Sequence, residues 1–276
     1  MLALFNNCSA GLDNCLLIDS ILIPTQIIGG SITQDITRYG EDLYDEIKLV
    51  DLIKQISKIK SIKWIRLHYC YPELVTDELL EEINKNQKVC KYLDIPLQHI
   101  DDKILKDMNR RTTEEQIRQL FDKLNSRYPN IAVRSTFIVG FPGETKTEFA
   151  ELEKFLSEYK LNNVGFFAYS KEYDTKAYSL DNRVSETIKQ QRLKNLVKLQ
   201  TKIQYKQSKS FVGRIIKCVC DDETHDYYIL RSEYNSPEID SFVYIPKNSF
   251  TCTIGKFYKV KITEVVKPFD LKGEIL

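Results

Sequence analysis

The sequence predicts an α/β fold, a full or partial βα barrel, followed by a small all-β barrel. Between about residues 27 and 170, short runs rich in β-branched residues alternate with amphipathic helical runs, which is typical of βα units around a parallel sheet. A long helical segment follows at 185–211. After it, the pattern changes to short β runs separated by turn or charged residues, which favours a small closed barrel of the oligonucleotide-binding (OB) type.

Five strands are predicted in the first part of the chain, at 27–33, 62–69, 92–95, 132–139 and 164–169. Helices are predicted between or after them, at 43–59, 76–86, 113–127 and 146–159. Because the functional residues of a βα barrel lie at the carboxyl ends of its strands, we look for a site just after each strand.

The predicted helices have apolar stripes and start signals. The first one carries an apolar stripe formed by Leu43, Ile47, Val50, Ile53 and Ile56. Thr76 is expected to cap the second helix. The last two are expected to open with capping boxes, Thr112 with Glu115 and Thr145 with Glu148.

The second part of the chain begins with a helix that we interpret as a bridge. Its predicted apolar positions are Ile188, Leu193, Leu196, Leu199 and Ile203. Five β runs follow, at 211–220, 227–231, 241–245, 258–263 and 271–276. The predicted domains are a divergent segment 1–30, an incomplete βα barrel 31–208 that ends in the bridging helix 185–208, and a β-barrel 209–276.

Composition excludes several classes of protein. Forty Lys and Arg residues against 39 Asp and Glu give a net charge of +1, so there is no global basic field for nucleic acid. A signal peptide begins with positively charged residues, and no Lys or Arg precedes Arg38 in this sequence. No run approaches the ~20 apolar residues of a membrane span. Seven cysteines, an odd number, do not indicate a disulfide framework. We expect a cytoplasmic protein without a membrane partner.

Four strand ends carry unusual strings, QDITRYGEDLY at 34–44, RLHYCYPE at 66–73, CKYLDIPLQHIDDKILKDMNRR at 90–111 and RSTFIVGFPGET at 134–145. In this order they resemble the radical S-adenosylmethionine (SAM) methylthiotransferases, over roughly residues 33–276. The first string, together with RSEYNSPEIDSFVYIP at 231–246, is more similar to the RimO-type branch, which modifies a small-subunit ribosomal protein. The MiaB-type branch, which modifies transfer RNA, matches these strings less well.

The resemblance implies a partial radical SAM barrel that holds SAM and a four-iron four-sulfur cluster, followed by a small OB-like barrel called a TRAM domain. In the reaction that it implies, a reduced cluster cleaves SAM to a 5′-deoxyadenosyl radical. The radical removes hydrogen from the β-carbon of an aspartate in ribosomal protein S-twelve. Sulfur is then inserted and a second SAM donates the methyl group, while the protein positions the reactive carbon and excludes water.

The cluster ligands are where this sequence departs from the family. Three thiolates must hold the cluster, so that one iron stays free for SAM. The family supplies them from a Cys-x3-Cys-x2-Cys loop, and this sequence contains no such string. Cys8 and Cys15 are the nearest candidates, but a pair cannot make the site. The chain is thus expected to be a fragment or truncated member, or a relative that keeps the barrel without the cluster.

Cofactor-binding residues are expected at two strand ends. The resemblance places the adenine of SAM against one turn, formed by Ile138, Val139, Gly140, Pro142 and Gly143. Gln98, Arg134 and Ser135 are polar groups that could hydrogen-bond the ribose and the methionine carboxylate, for which an arginine fork is well shaped. The alternative for all of them is a tight turn with a satisfied internal network. His99 is the best-placed imidazole for proton transfer, although a single histidine is more often structural.

Substrate-binding residues are expected in the loop after the strand at 27–33, and they are Gln34, Asp35, Arg38 and Tyr39. Loop capping is the alternative. From Thr187 to Lys217 there are nine Lys or Arg and no acid. This stretch could contact ribosomal RNA, together with the TRAM domain, or an acidic protein segment. A solvated helix face is the other interpretation. A non-catalytic module that binds ribosomal protein or RNA, and a transfer RNA methylthiotransferase, are the alternative functions.

Overall fold

The computed structural model describes residues 16–17, 35–173, 175–266 and 268–276. The chain divides into two compact units, Met1–Pro96 and Leu97–Leu276. The predicted strand at 27–33, and with it Cys8, Cys15 and Gln34, lies outside the described residues. Within the described part, every helix is too short or too polar to cross a membrane.

The first unit is built from short strands and helices. Its elements are β1 (Leu16–Leu17), α1 (Glu41–Tyr44), α2 (Leu49–Ser57), β2 (Ile65–Leu67), α3 (Asp77–Lys85) and β3 (Val89–Asp94). β1 pairs antiparallel with β2, whereas β2 and β3 pair in parallel and are connected through α3. The Thr76 side chain accepts a hydrogen bond from the Leu79 N–H, so the predicted cap is confirmed. This part of the chain is therefore a βα unit, as predicted.

The helix predicted at 43–59 is wrong, because the chain forms α1 and α2 instead. Asp45, the residue after α1, adopts a left-handed backbone conformation with a φ of 53°, and this conformation interrupts a continuous helix. Leu43 and Ile47 are consequently exposed, while Leu49 and Ile53 are the buried positions of α2. The predicted apolar stripe is thus correct only for its C-terminal half.

The second unit begins with further βα structure. Its elements are α4 (Asp102–Asp107), α5 (Glu114–Arg127), β4 (Ala132–Val139), α6 (Lys146–Tyr159), β5 (Asn163–Ala168) and α7 (Glu186–Phe211). β4 and β5 are parallel and in register from Arg134↔Asn163 to Val139↔Ala168. Phe137 on β4 packs against Phe155 of α6 with 6.3 Å between ring centroids. The parallel pairing and the helical cover confirm the α/β class.

The capping boxes were predicted with mixed success. At the start of α6, Thr145 and Glu148 form the expected reciprocal bonds. At the start of α5 the box is one residue later than predicted, since Thr113 is the cap and Gln116 is its partner. Thr112 is buried instead, so its assignment as the cap is wrong.

The long helix α7 buries only part of the predicted apolar stripe, Leu196 and Ile203, together with polar residues that were not predicted. Its buried residues are Arg192, Leu196, Gln200, Ile203 and Ser208. Ile188, which was predicted to be buried, is 46% exposed. Polar residues belong to the buried stripe because each has a specific partner, such as the Leu161 carbonyl that accepts from the Gln200 amide at 2.9 Å.

The chain ends in a closed five-stranded barrel, as predicted. Its strands are β6 (Ile215–Glu223), β7 (Tyr227–Ser232), β8 (Val243–Pro246), β9 (Phe257–Val266) and β10 (Asp270–Ile275), in the order β10-β8-β7-β6-β9. β8 and β10 are parallel and the other neighbours are antiparallel. Gly273 follows a register shift in β10, and a Cβ there would lie 2.5 Å from the Val260 side chain, so only glycine fits.

Candidate functional site

The loop predicted to bind substrate is held together by its own side chains. The Asp35 carboxylate accepts hydrogen bonds from the N–H of Thr37, at 2.9 Å, and from its hydroxyl. Asp35 thereby caps the 3-10 turn Ile36–Arg38. The Arg38 guanidinium lies 3.1 Å from Asp35 and 2.8 Å from Glu41. Burial raises the pKa of Asp35, an effect that the hydrogen bonds from Thr37 and the charge of Arg38 oppose.

The remaining substrate candidate in this loop, Tyr39, is half-buried. Its N–H donates to the Ile36 carbonyl at 3.1 Å, and its own carbonyl accepts from the Lys48 N–H at 2.7 Å. Tyr39 and Arg38 therefore present partly exposed side chains from a fixed backbone. This rigid backbone is compatible with substrate contact as well as with loop capping.

A buried histidine and aspartate lie at the ends of β2 and β3 in the first unit. His68 Nδ1 is 3.6 Å from the Asp94 carboxylate, which also accepts the Tyr69 N–H at 3.3 Å. The other ring nitrogen of His68, Nε2, is buried and has no hydrogen-bond partner among the described residues. Tyr69 adopts a left-handed φ of 56°, an unusual conformation for a bulky residue. His68 was not among the predicted site residues.

Gln98 is fixed by the backbone of β4 in the second unit. Its N–H donates to the Thr136 carbonyl and its carbonyl accepts from the Ile138 N–H, both at 2.8 Å. Gln98 has a left-handed φ of 68°, and its Oε1 is buried without a hydrogen-bond partner in the described part of the chain. A ligand that donates a hydrogen bond would satisfy this oxygen.

Arg134 and Ser135 are neighbours on β4 and therefore point to opposite faces of the sheet. Ser135 is fully buried, and its hydroxyl accepts the Leu97 N–H at 3.3 Å. Arg134 is partly exposed and lies 3.5 Å from the Asp240 carboxylate, in the segment between β7 and β8. The side chains of Arg134 and Ser135, which were both predicted to bind the cofactor, therefore do not lie on the same face of the sheet.

The turn after β4 uses much of its backbone internally. The Val139 carbonyl accepts the Tyr169 N–H at 2.8 Å, and the Gly140 N–H donates to Glu144 Oε2 at 2.7 Å. Gly140 has a φ of 74°, and a Cβ there would lie 2.3 Å from the Lys189 side chain. The stem of Lys189 covers Gly140, and its ammonium donates to the Tyr169 carbonyl at 2.8 Å. A cation therefore sits at the carboxyl ends of β4 and β5.

The rest of this turn is equally constrained. Pro142 is buried, and Gly143 has a φ of 85°. The Gly143 N–H donates to the Asn182 carbonyl at 3.0 Å, and its carbonyl accepts the Lys103 ammonium at 3.3 Å.

A buried ion pair between Glu144 and Arg192 of α7 supports the turn after β4. The Glu144 side chain is fully buried and lies 2.6 Å from the Arg192 guanidinium, which also donates to the Glu144 carbonyl at 3.1 Å. His99 Nε2 is 3.8 Å from the same carboxylate. Burial raises the pKa of Glu144, whereas the positive charge of Arg192 opposes the shift. Neither Glu144 nor Arg192 was among the predicted site residues, because 48 residues separate them and no local pattern relates them.

These residues can be tested against the two cofactors that the resemblance implies. The unsatisfied Oε1 of Gln98 fits a ligand with hydroxyl or amine donors, such as the adenosyl part of SAM. The described residues do not form a site for the iron-sulfur cluster, because they contain no group of three or more His, Cys, Asp or Glu able to hold a metal. Cys70 and Cys90 are buried in the first unit, and burial raises the pKa of Cys70.

Comparison with known proteins identifies the family. Residues 32–156 match the radical SAM superfamily and residues 212–276 match the TRAM domain. The chain is 45% identical over 246 residues to the ribosomal protein uS12 methylthiotransferase RimO of Desulfitobacterium hafniense, and 41% identical over 244 residues to that of Clostridium acetobutylicum. The chain belongs to the RimO-type radical SAM methylthiotransferases.

The two alignments cover 89% and 88% of this chain but only 55% and 54% of the relatives. The chain thus spans about half the length of the curated RimO proteins that it matches. Among solved structures, coproporphyrinogen III oxidase (HemN) from Escherichia coli, a radical SAM enzyme, aligns with a TM-score of 0.46 and 17% identity, over 56% of this chain and 37% of that one.

Membership of this family explains the order of the strand-end motifs. The radical SAM match spans all four of them, and the TRAM match spans the five strands of the closed barrel. The family implies SAM and a four-iron four-sulfur cluster as cofactors. The relatives at 41–45% identity are ribosomal protein uS12 methylthiotransferases RimO by name.

Proposed function

We propose that this chain is part of a methylthiotransferase that modifies the β-carbon of an aspartate in the small-subunit ribosomal protein S-twelve. The observation that supports it is the 41–45% identity to uS12 methylthiotransferases over nearly nine-tenths of the chain. The proposed domains are the segment 1–30, a βα barrel at 31–208 and a TRAM barrel at 209–276.

SAM, when bound, supplies the methyl group and the adenosyl group that removes hydrogen from the substrate. Gln98 Oε1 accepts a hydrogen bond from the ligand, because it is one of the buried acceptors that have no hydrogen-bond partner among the described residues. The turn of Ile138, Val139, Gly140, Pro142 and Gly143 forms the adenine-side wall. Arg134 and Ser135 complete the proposed cofactor residues.

The described residues contain no group of three or more His, Cys, Asp or Glu able to hold the cluster. The chain's own contribution is to bind SAM, to present substrate with the loop of Gln34, Asp35, Arg38 and Tyr39, and to exclude water. The proposed partners are the ribosomal protein and ribosomal RNA, the latter through α7 and the TRAM barrel.

The variant Gln98→Gly tests the SAM site. Glycine tolerates the φ of 68°, so the backbone bonds to Thr136 and Ile138 survive while the amide is lost. We expect SAM to bind about tenfold more weakly in isothermal titration calorimetry, which corresponds to one lost hydrogen bond. The matched control Gln119→Gly removes an exposed amide. Equal SAM affinity for Gln98→Gly and the natural chain would remove Gln98 from the site.

The activity itself is tested on ribosomes. A strain from which the gene that encodes this chain has been deleted is compared with its parent strain, and the small-subunit protein of both is analysed by mass spectrometry. We expect the methylthio-aspartate to be present in the parent strain and absent from the deletion strain. An aspartate that is modified to the same extent in both strains, or unmodified in the parent strain, would contradict the proposed activity.

A further inference from the structure

Helix α7 carries a continuous set of exposed lysines on one side. These residues, called the lysine face below, are Lys194, Lys198, Lys202, Lys206 and Lys209. None of them forms an ion pair with a carboxylate in the part of the chain that the structure describes. Since a helix rises 1.5 Å per residue, the lysine face is about 22 Å long.

The lysine face points away from the packed side of α7. Leu196, Gln200 and Ile203 are buried, and helical periodicity places most of the lysines on the opposite side. The exposed ring of Tyr205 lies among the lysines, with the Lys209 ammonium 4.8 Å from its centroid. The surface thus combines a row of cations with an aromatic ring.

This arrangement disfavours an isolated helix. Lys194, Lys198, Lys202 and Lys206 follow one another at intervals of four residues, and like charges at this spacing repel each other. No acidic residue occurs between Thr187 and Lys217 to offset the repulsion. A polyanion bound along the row would remove this repulsion and release counterions.

We propose that the lysine face binds the phosphate backbone of single-stranded or looped RNA, with Tyr205 stacking against a base. The exposed ring favours RNA over an acidic protein, because bases stack on tyrosine and an acidic peptide would need the cations alone. The inference rests on the RNA partner of the proposed function and gives that partner a surface. It is independent of the methylthio transfer, so that RNA binding can be measured without SAM or a cluster.

The test compares two variants of the full chain. The first replaces the five residues of the lysine face by glutamine, which keeps high helix propensity. The matched control replaces five exposed lysines elsewhere by glutamine, Lys58, Lys60, Lys63, Lys106 and Lys154. Each of the two variants loses five positive charges. Fluorescence anisotropy with a labelled 12-nucleotide single-stranded RNA is recorded at several salt concentrations.

We expect the natural chain and the matched control to bind the RNA alike. The lysine-face variant should bind at least tenfold more weakly at 0.1 M salt. Its salt slope should be shallower by about 3.5, because each of the five lost phosphate contacts contributes ~0.7. Circular dichroism should show that α7 is retained, since glutamine removes the repulsion. Equal binding by both variants would overturn the assignment.

Tyr205→Leu separates RNA from an acidic protein partner. The variant should weaken RNA binding severalfold and leave the binding of a polyglutamate peptide of equal charge unchanged. Tighter binding of polyglutamate than of RNA by the natural chain would assign the lysine face to an acidic protein instead, and would overturn the RNA proposal.

Discussion

His99 is a buried imidazole that the folded protein keeps neutral. Its Nδ1 accepts the Asp101 N–H at 3.1 Å, and its Nε2 has no hydrogen-bond partner among the described residues. Burial lowers the pKa of His99 to about 4, with a contribution of the same sign from Arg192, while Glu148 opposes it. The histidine that sequence analysis considered for proton transfer is thus in the neutral form at neutral pH.

We predict that this imidazole makes the fold sensitive to acid. Between about pH 6.5 and pH 4 the unfolded chain binds a proton on His99 that the folded chain excludes. The free energy of unfolding should therefore fall as the pH is lowered through this window, by up to about 3 kcal/mol from this group. Urea unfolding at pH 7, 5.5 and 4 measures the effect.

His99→Asn is the appropriate comparison, because asparagine retains an acceptor near the position of Nδ1 and does not titrate. Glu144 works in the opposite direction, since its raised pKa means that the folded state takes up a proton before the unfolded chain does. The difference in unfolding free energy between the natural chain and His99→Asn, taken at each pH, isolates the contribution of His99. An identical pH slope in both proteins would show that His99 does not carry the effect.

Single side chains were harder to place from the sequence than the strands on which they lie. Strand β4 has the predicted bounds, yet Arg134 and Ser135 face opposite sides of it. The partners of Arg134 and Glu144 are Asp240 and Arg192, each distant along the chain. Such pairs depend on tertiary packing, about which local patterns carry no information.

Helix starts depend on local side chains, and α5 shows how a one-residue error arises. The sequence offers two threonines in succession, Thr112 and Thr113, each followed three residues later by Glu or Gln. Both candidates satisfy the capping-box pattern. Burial of Thr112 decides between them, and burial is not a local property.

We predict that Thr113→Ala and Gln116→Ala each destabilise the protein, by about 1 kcal/mol for the cap and somewhat less for its partner. Each variant removes one of the two reciprocal bonds at the start of α5. Glu115→Ala, which alters an exposed neighbour, should cost less than either. Urea unfolding gives the three values. A larger loss for Glu115→Ala than for Gln116→Ala would favour the original register.

Tertiary structure also overrides periodicity within helices. Ile188 fits the apolar stripe predicted for α7 but is exposed, whereas Arg192 and Gln200 are buried because they bond to Glu144 and to the Leu161 carbonyl. The five strands of the closed barrel were predictable, by contrast, because their inward residues alternate along each strand.

Within the second unit, Arg134 links β4 to the closed barrel. Its partner, Asp240, has a side chain only 3% exposed and also accepts the Ser236 N–H at 2.7 Å. The Asn163 amide at the start of β5 donates to the Tyr234 carbonyl in the same segment, at 3.5 Å. The segment between β7 and β8 therefore joins the barrel to the parallel strands of this unit.

A double-mutant cycle on this link is the test at the scale of the whole molecule. Arg134→Gln should destabilise the protein by about 3 kcal/mol, because it leaves a buried carboxylate without this cation. The double variant, which combines Arg134→Gln with Asp240→Asn, should recover part of the lost stability. Compared with the two single variants, it should give a coupling energy of about 1–3 kcal/mol. Urea unfolding followed by circular dichroism measures the energies, and calorimetry of SAM binding on the same proteins separates a structural role of Arg134 from cofactor contact. If the changes in unfolding free energy of the two substitutions add without coupling, the ion pair does not hold the segment. If SAM affinity falls in the variants that lack Arg134, this side chain contacts the cofactor.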